Sequence, residues 1–508
     1  MLFCRQHFFM NFPKISRQTW SVNPRLDILS GLIVAFALIP EAIGFSVVAG
    51  VPPEVGLYAS VIIATVIAFT GGRPAMISAA TASTAVLMGG IVHAHGLQYL
   101  FAATILMGIF QILAGILKLG RLIRFVSQSV MTGFVNALAI LIFMAQLPQL
   151  VGVPPVTYPL IVLGLAVIYG LPRLLPWLTK YVPSPLIAIT ILTIISYSFH
   201  LHVRSIASLG KLPSTLPSFG LPHVPLTLHT LQILLPVSIA LAAVGLLETM
   251  LTAGIVDDRT DTPSNKNREC SGQGIANIAS AFFGGMGGCA MIGQSIINVS
   301  SGGRGRLSTL VAGLFLLILL VNLHPLLAIV PVAGLTAVMI MVSINTFSWR
   351  SLTQLRSNPP TSTIVMLATV ITVVATKDLA DGVAVGVLLS GIFFAGKVSR
   401  LNRITSSLSE DGRIRTYRVE GQIFFASAGT FFDAIDLLEP IDGLVIDVSH
   451  AHFWDISAVN ALDRIVLKGH AHGLAVRVVG LNEASETMVE RFAEHRQPAT
   501  AEALAAVE

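Results

Sequence analysis

Two carboxylates interrupt long apolar runs of this chain. Glu41 follows Pro40 within the run 27–46, and Glu248 lies within the run 231–252, with Thr249 and Thr252 beside it. A carboxylate inside hydrocarbon is costly, and one found there is a candidate for binding and releasing a proton. Glu41 and Glu248 are therefore read as proton-coupling residues, against the alternative of a structural hydrogen bond to a neighbouring helix end. Two short apolar runs accompany them. The run 289–299 follows Gly284, Gly285, Gly287 and Gly288, and the run 78–92 follows Gly71, Gly72 and Pro74. At 1.5 Å per residue, 289–299 covers about 16 Å of a hydrocarbon core about 30 Å thick. Such a half-helix starts inside the membrane and presents free N–H groups and a positive dipole end to a cavity. An anion is the natural ligand there and needs no particular side chain.

Side chains at the two starts refine this reading. Ser78, Thr81, Ser83 and Thr84 supply hydroxyls on the first, and Ala79, Ala80 and Ala82 allow close approach. On the second, Ala290, Met291, Ile292 and Gln294 surround the start, and only Gln294 is strongly polar. Phe45 and Tyr58 are candidates to line the cavity. The competing explanation is close helix packing by small residues. Cys289 reads as a small buried hydrophobe.

These residues need a membrane fold to position them. The chain has 508 residues, 54% hydrophobic and 11% charged, with mean hydropathy +0.79. Soluble domains carry about 25% charge, so the chain is read as a polytopic α-helical membrane protein. Spans are expected near 27–46, 54–70, 78–92, 97–118, 124–146, 157–175, 184–200, 231–252, 271–285, 289–299, 307–323, 327–346, 362–376 and 380–396. With fourteen crossings, twenty Lys and Arg residues fall on the side of the termini, against Arg204, Lys211 and Lys377 on the other. This bias predicts cytoplasmic termini and accounts for the basic charge without nucleic acid. Cys4, Cys270 and Cys289 are too scattered for a disulfide framework or a zinc site. No cleaved leader is expected, and the mixed-charge loop around Asp257, Asp258, Arg259, Asp261, Lys266, Arg268 and Glu269 reads as a solvated ion-pair surface.

The spans repeat. Leu26-Asp27-Ile28-Leu29 is matched by Leu231-Gln232-Ile233-Leu234, Glu41 by Glu248, and the short run 78–92 by 289–299. Seven spans followed by seven give an inverted repeat, with halves at 27–200 and 231–400 in a transport domain at 27–403, after a basic segment at 1–26. Residues 411–508 read as a soluble α/β module, with strands near 415–425, 443–449 and 474–481 and helices near 428–438, 457–473 and 484–492. Asp455-Ile456-Ser457 reads as a helix cap, and Ser457 also as a phosphorylation candidate.

Several motifs in order resemble the SulP family of anion transporters. They are the run 31–50, Gly71-Gly72-Arg73-Pro74, Asn267-Arg268-Glu269, Gly272-Gln273-Gly274 with Asn277, and Asn298-Val299 before Gly302-Gly303-Arg304. The module at 411–508 resembles the STAS domain such transporters carry. The resemblance implies a core and a gate domain, an anion site between the third and tenth spans, and a homodimer. It implies that Thr81 contacts the anion. Glu248 and Thr252 match sodium-ligating positions of the bicarbonate branch, but the Thr that completes that site is Ile292 here. Vertebrate members place an Arg where this chain has Gln294. In STAS proteins that antagonise anti-sigma factors, the residue matching Ser457 is phosphorylated.

The expectation is a secondary transporter in the bacterial inner membrane, not an enzyme. It would work by proton-coupled symport of a carboxylate, dicarboxylate or sulfate-like anion through an elevator-like movement, with no cofactor beyond the co-transported proton. Sodium-dependent bicarbonate transport is the first alternative. The second is a membrane-anchored STAS protein that senses an anion and binds a cytosolic partner.

Overall fold

The computed structural model describes residues 20–120, 126–179, 182–209, 216–225 and 227–493. Arg5, Lys14, Arg17, Arg121, Arg124, Lys180, Lys211 and the end of the STAS-like module lie outside the described residues. Contacts divide the chain into Met1–Val387 and Leu388–Glu508.

In the first unit, α1 is Pro24–Val48, α2 Pro53–Thr70, β1 Ser78–Ala80, α3 Ala82–His95, α4 Leu97–Ile116, α5 Gln128–Gln146, α6 Thr157–Leu174 and α7 Ser184–Ser198. The second series is α8 Leu228–Thr260, α9 Lys266–Phe282, β2 Gly288–Ala290, α10 Ile292–Ser300, α11 Arg306–Ala328, α12 Val332–Thr346, α13 Pro360–Thr376 and α14 Leu379–Ser399. Single helical turns at Pro176–Thr179 and Trp349–Thr353 join their neighbours. Among the described residues, seven helices are long and apolar enough to cross a membrane alone: α1, α2, α4, α5 with the turn that follows it, α6, α8 and α14. The sequence specifies many helix starts. Proline opens α1, α2 and α13, where the missing N–H costs nothing. Thr227 and Asn265 cap α8 and α9 by accepting from Thr230 N at 3.2 Å and Arg268 N at 3.0 Å.

The short helices begin later than the sequence predicts. Residues 78–80 and 288–290 are antiparallel strands, with Ser78 opposite Ala290, Ala79 opposite Cys289 and Ala80 opposite Gly288. The correction has a physical cause. Extended backbone within a membrane must find partners inside the protein, and the two strands satisfy each other. Gly288 is required there, because a Cβ would collide with the Ala79 carbonyl oxygen. Amides clamp the strand pair. Asn277 Nδ2 donates to Gly288 O at 3.0 Å, its Oδ1 accepts from Gly288 N at 2.9 Å, and Gln273 Nε2 donates to Gly288 O at 3.0 Å. On the other side Ile77 N donates to Ser295 Oγ at 3.0 Å, and Asn298 Nδ2 to Ala75 O at 2.8 Å.

Two helix groups form around this pair. Helices α1–α4 pack with α8–α11, and α5–α7 pack with α12 and α13. The first group is tightly closed. Gly108 on α4 and Gly274 on α9 oppose each other, and a Cβ on Gly108 would stand 2.6 Å from Gly274 O. The mixed-charge loop is solvated at Asp258, Arg259 and Asp261, with Lys266 paired to Asp257 at 2.6 Å, but Glu269 departs from that expectation. Glu269 is fully buried, accepting from Gly72 N at 2.5 Å and Arg73 N at 2.8 Å. Arg73 pairs with Asp257 at 3.3 Å, and Arg306 donates to the Ala68 and Gly71 carbonyls at 3.0 and 2.6 Å. The glycine-rich turn after α2 presents bare backbone, and buried charges on α9 and α11 bind it.

The second unit holds a four-stranded sheet in the order β3-β4-β5-β6, at Arg403–Leu408, Ile414–Ile423, Gly443–Phe453 and Ala475–Val479. The first pair is antiparallel and the others parallel. Helices α15 (Ala428–Asp433), α16 (Ile456–Ala471) and α17 (Glu483–Phe492) accompany it. Strand β3 precedes the expected boundary at 411. Its side chains are almost all exposed, so it lacks the alternation that reveals a strand. Asp455 caps α16, accepting from Ala458 N at 3.0 Å and also from Phe425 N at 2.8 Å.

Replacing Gly274→Val should overpack the α4–α9 crossing and cost about 1–3 kcal/mol, seen as a lower melting temperature of the purified protein. Wild-type melting would show that the helices do not touch at Gly274. Asp455→Ala should cost about 1 kcal/mol of cap stability, read as increased proteolysis within the second unit of the full chain.

Candidate functional site

A cavity of about 940 Å3 opens beside the strand pair. Its inner wall is Glu41 and Phe45 of α1, Thr81 and Ala82 at the α3 start, Glu248 of α8, and Met291, Ile292, Gly293 and Gln294 at the α10 start. The opposite wall comes from α5, α6 and α12, through residues such as Phe134, Tyr169 and Asn345. Its rim residues Leu29, Thr179, Ser184, Ser300, Ser301 and Thr346 lie at helix ends on the face where α1 begins.

Thr81 and Met291 are the N-cap residues of α3 and α10, and neither helix has a side-chain cap. The first-turn N–H groups of both helices are thus directed to the cavity, where the dipoles favour negative charge. The other end of α10 is neutralised by Arg304, which donates to Val299 O at 2.6 Å.

Glu248 anchors a dense polar cluster. Its Oε2 accepts from Ser83 Oγ and, at 3.0 Å, from Cys289 Sγ. Thr81 Oγ1 lies 3.0 Å from Cys289 Sγ, 3.0 Å from Thr84 Oγ1 and 3.3 Å from Ser83 Oγ. Thr252 Oγ1 donates to Glu248 O at 2.8 Å and faces Ala290 O at 3.3 Å. Glu41 is half-buried and shares the cavity wall with the Gln294 side chain. Pro40 sits within α1 just before it, where a helix loses one backbone bond. No Lys, Arg or His belongs to the described lining.

The structure brings Phe45, Thr81, Ala82, Met291, Ile292 and Gln294 to one wall with Glu41 and Glu248. Ser78 and Ala290 are corrections. Both lie in the strand pair and do not line the cavity, because extended backbone turns them into the protein. Tyr58 is also absent from the lining. Sequence reasoning missed the Cys289 contact with Glu248, since its apolar neighbours gave no polar signal. Ser83 was legible as a hydroxyl but not as the Glu248 donor. Tyr169 and Asn345, whose side chains meet at 3.4 Å, carried no signal. Ser457 is exposed in the first turn of α16.

Two half-helices aimed at one cavity within an inverted repeat define a membrane-embedded carrier of small anions. The sulfate permease family model matches residues 25–162 and 157–369, and the STAS domain model matches 406–505. The chain belongs to the sulfate permease, or SulP, family of anion transporters and carries a STAS domain. It is 54% identical to YbaR of Bacillus subtilis, over 95% of this chain and all of that protein. It is 26% identical to the bicarbonate transporter BicA of Synechocystis, over 92% of this chain and 90% of the relative. The transmembrane domain of a cyanobacterial BicA superposes with a TM-score of 0.63 at 27% identity, over 73% of this chain and 98% of that one. Murine Slc26a9, in an inward-facing state, shares the fold with a TM-score of 0.79 at 17% identity, over 94% and 88% of the two chains.

Gln294→Arg would place a fixed cation beside Glu41. Sulfate should then raise the melting temperature as much at neutral as at acid pH, because bound ligand stabilises by mass action. A sulfate effect that still needs acid would show that Gln294 does not face the anion.

Proposed function

We propose that the protein is a proton-coupled symporter of a carboxylate, dicarboxylate or sulfate-like anion in the bacterial cytoplasmic membrane. One observation carries this reading: the cavity holds two carboxylates and two helix N-termini but no cationic side chain among its described lining. Two helix ends supply roughly one positive charge between them. Two ionised glutamates would exceed it, and the site would repel an anion. With a proton on each glutamate, the site complements one negative charge. Anion and proton therefore favour each other's binding, and that coupling is reciprocal.

The two helix groups suggest the moving parts. The anion-facing group, α1–α4 with α8–α11, carries both half-helices, the strand pair and both glutamates. Sliding it against α5–α7, α12 and α13 would carry the site across the membrane in an elevator-like step. The positive-inside bias supports cytoplasmic termini, and on that reading the rim beside the α1 start is cytoplasmic and this state inward-facing.

The relatives support different substrates, since YbaR is named for sulfate and BicA for bicarbonate. Sodium-coupled bicarbonate entry is the second reading. Against it, Ile292 brings no oxygen. Homodimer formation and a cytosolic partner for the STAS domain belong to the same proposal. Ser457 is its modification site, where a phosphate would sit at a helix N-terminus.

In proteoliposomes, uptake of radiolabelled sulfate, bicarbonate or succinate should depend on an inward proton gradient. It should survive replacement of sodium by choline. Glu248→Gln should abolish the gradient dependence. Uptake indifferent to a protonophore would remove proton coupling, and loss of uptake in choline would favour the sodium reading.

A further inference from the structure

Cys289 occupies a position that neither the anion nor the proton requires by itself. Its Sγ stands 3.0 Å from Glu248 Oε2 and 3.0 Å from Thr81 Oγ1, and it is fully buried. A thiol has one hydrogen and can also accept weakly. It can therefore donate to only one of these neighbours at a time. We propose that Cys289 is the positioning residue that links proton uptake at Glu248 to anion binding at Thr81. This inference rests on the proton-coupled reading.

The hydrogens can be followed in both states. With Glu248 ionised, its Oε2 accepts from the Ser83 hydroxyl and the Cys289 thiol. Thr81 then gives its hydrogen to the sulfur or to Thr84 Oγ1, whose own hydrogen goes to Gly287 O or Thr81 O. With Glu248 protonated, the carboxyl O–H donates to Sγ, and the thiol hydrogen turns to Thr81 Oγ1. Thr81 then accepts from sulfur and directs its own O–H into the cavity, where it lies on the lining. No covalent bond changes beyond the proton gained by Glu248 from cavity water. Ser83 is the weaker route, being 3.3 Å from Thr81 Oγ1 and still engaged by Glu248.

Other ionisable groups do not compete for this relay. Elements α3, α4, α9, α10 and β2 pack against α8. Helices α4 and α10 carry no charged residue, and His93 and His95 lie in the last turn of α3. Lys266, Arg268 and Glu269 of α9 lie at its first turn, with Asp257 near the end of α8. Glu41 shares the cavity from α1 and lies on the wall beside Gln294.

The test measures sulfate, bicarbonate and succinate affinity at acid and neutral pH in wild-type, Cys289→Ala and Cys289→Ser proteins. Wild-type affinity should be several-fold higher in acid. That ratio should fall toward one in Cys289→Ala and return in Cys289→Ser, whose hydroxyl can donate and accept in the same place. Equal pH dependence in wild type and Cys289→Ala would overturn the relay while leaving symport intact. Wild-type affinity without pH dependence would overturn both. A second readout needs no change at Cys289: infrared spectra of the Cys4→Ala, Cys270→Ala protein isolate its S–H stretch. The band should shift on acidification, and a band indifferent to pH would equally overturn the proposal.

Discussion

Three residue pairs at the centre of the chain govern everything around them. The pairing of Ser78–Ala80 with Gly288–Ala290 lets two helices start in the interior of a membrane protein without stranding their backbone. Without it, the residues before α3 and α10 would have to be helical to be satisfied, and the helices would have no free ends there. The pairing thus creates both cavity-facing termini at once. It also explains the amides that surround it. Asn277, Gln273 and Asn298 donate to carbonyls at the strand pair and beside it, and Gln111 in turn accepts from Asn277 at 2.8 Å. A buried amide without partners is expensive, so the geometry of these partners is held firmly.

The same logic extends to the face where α1 begins. Asp27 accepts from Arg304 N at 2.8 Å and Gly305 N at 3.0 Å, joining the α1 start to the turn after α10. Glu269 does the equivalent for the turn after α2, at Gly72 and Arg73. Each repeat therefore sends a carboxylate to hold a glycine-rich turn of the other. The helix group that carries the strand pair is thus locked by backbone-directed charges.

Much of this was legible in the sequence, for identifiable reasons. Long apolar runs bounded by Gly, Pro and charge marked the fourteen helices, and a short run before Ser300 marked α10. Glu41 and Glu248 stood out because hydrocarbon makes any carboxylate conspicuous. The strand pair did not stand out. Ser-Ala-Ala and Gly-Cys-Ala are as compatible with helix as with strand, and only the partner 210 positions away decides. Cys289 was hidden for the same reason, since its polar contact comes from α8 and α3. Glu269 looked solvated because its neighbours in sequence are charged, whereas its neighbours in space are backbone N–H groups.

The two carboxylates are related by the repeat, yet their surroundings differ, and the difference follows from how the repeats interlock. Glu248, from the second repeat, bonds to Ser83 at the half-helix of the first. Glu41, from the first, lies on the cavity wall beside Gln294 at the half-helix of the second. Each half-helix start thus has the other repeat's carboxylate on its wall, although Glu248 also accepts from Cys289 of its own repeat. The α3 start brings three hydroxyls and meets a thiol, so Glu248 is enclosed by small groups that can donate or accept. The α10 start brings one amide, whose donor and acceptor atoms are fixed in place. Rotatable hydrogens surround Glu248, and they can rearrange when it gains a proton. Around Glu41 the amide must turn over as a whole. Symmetry of fold with asymmetry of donors thus gives the two glutamates different surroundings: movable hydrogens around one, a single planar amide on the same wall as the other.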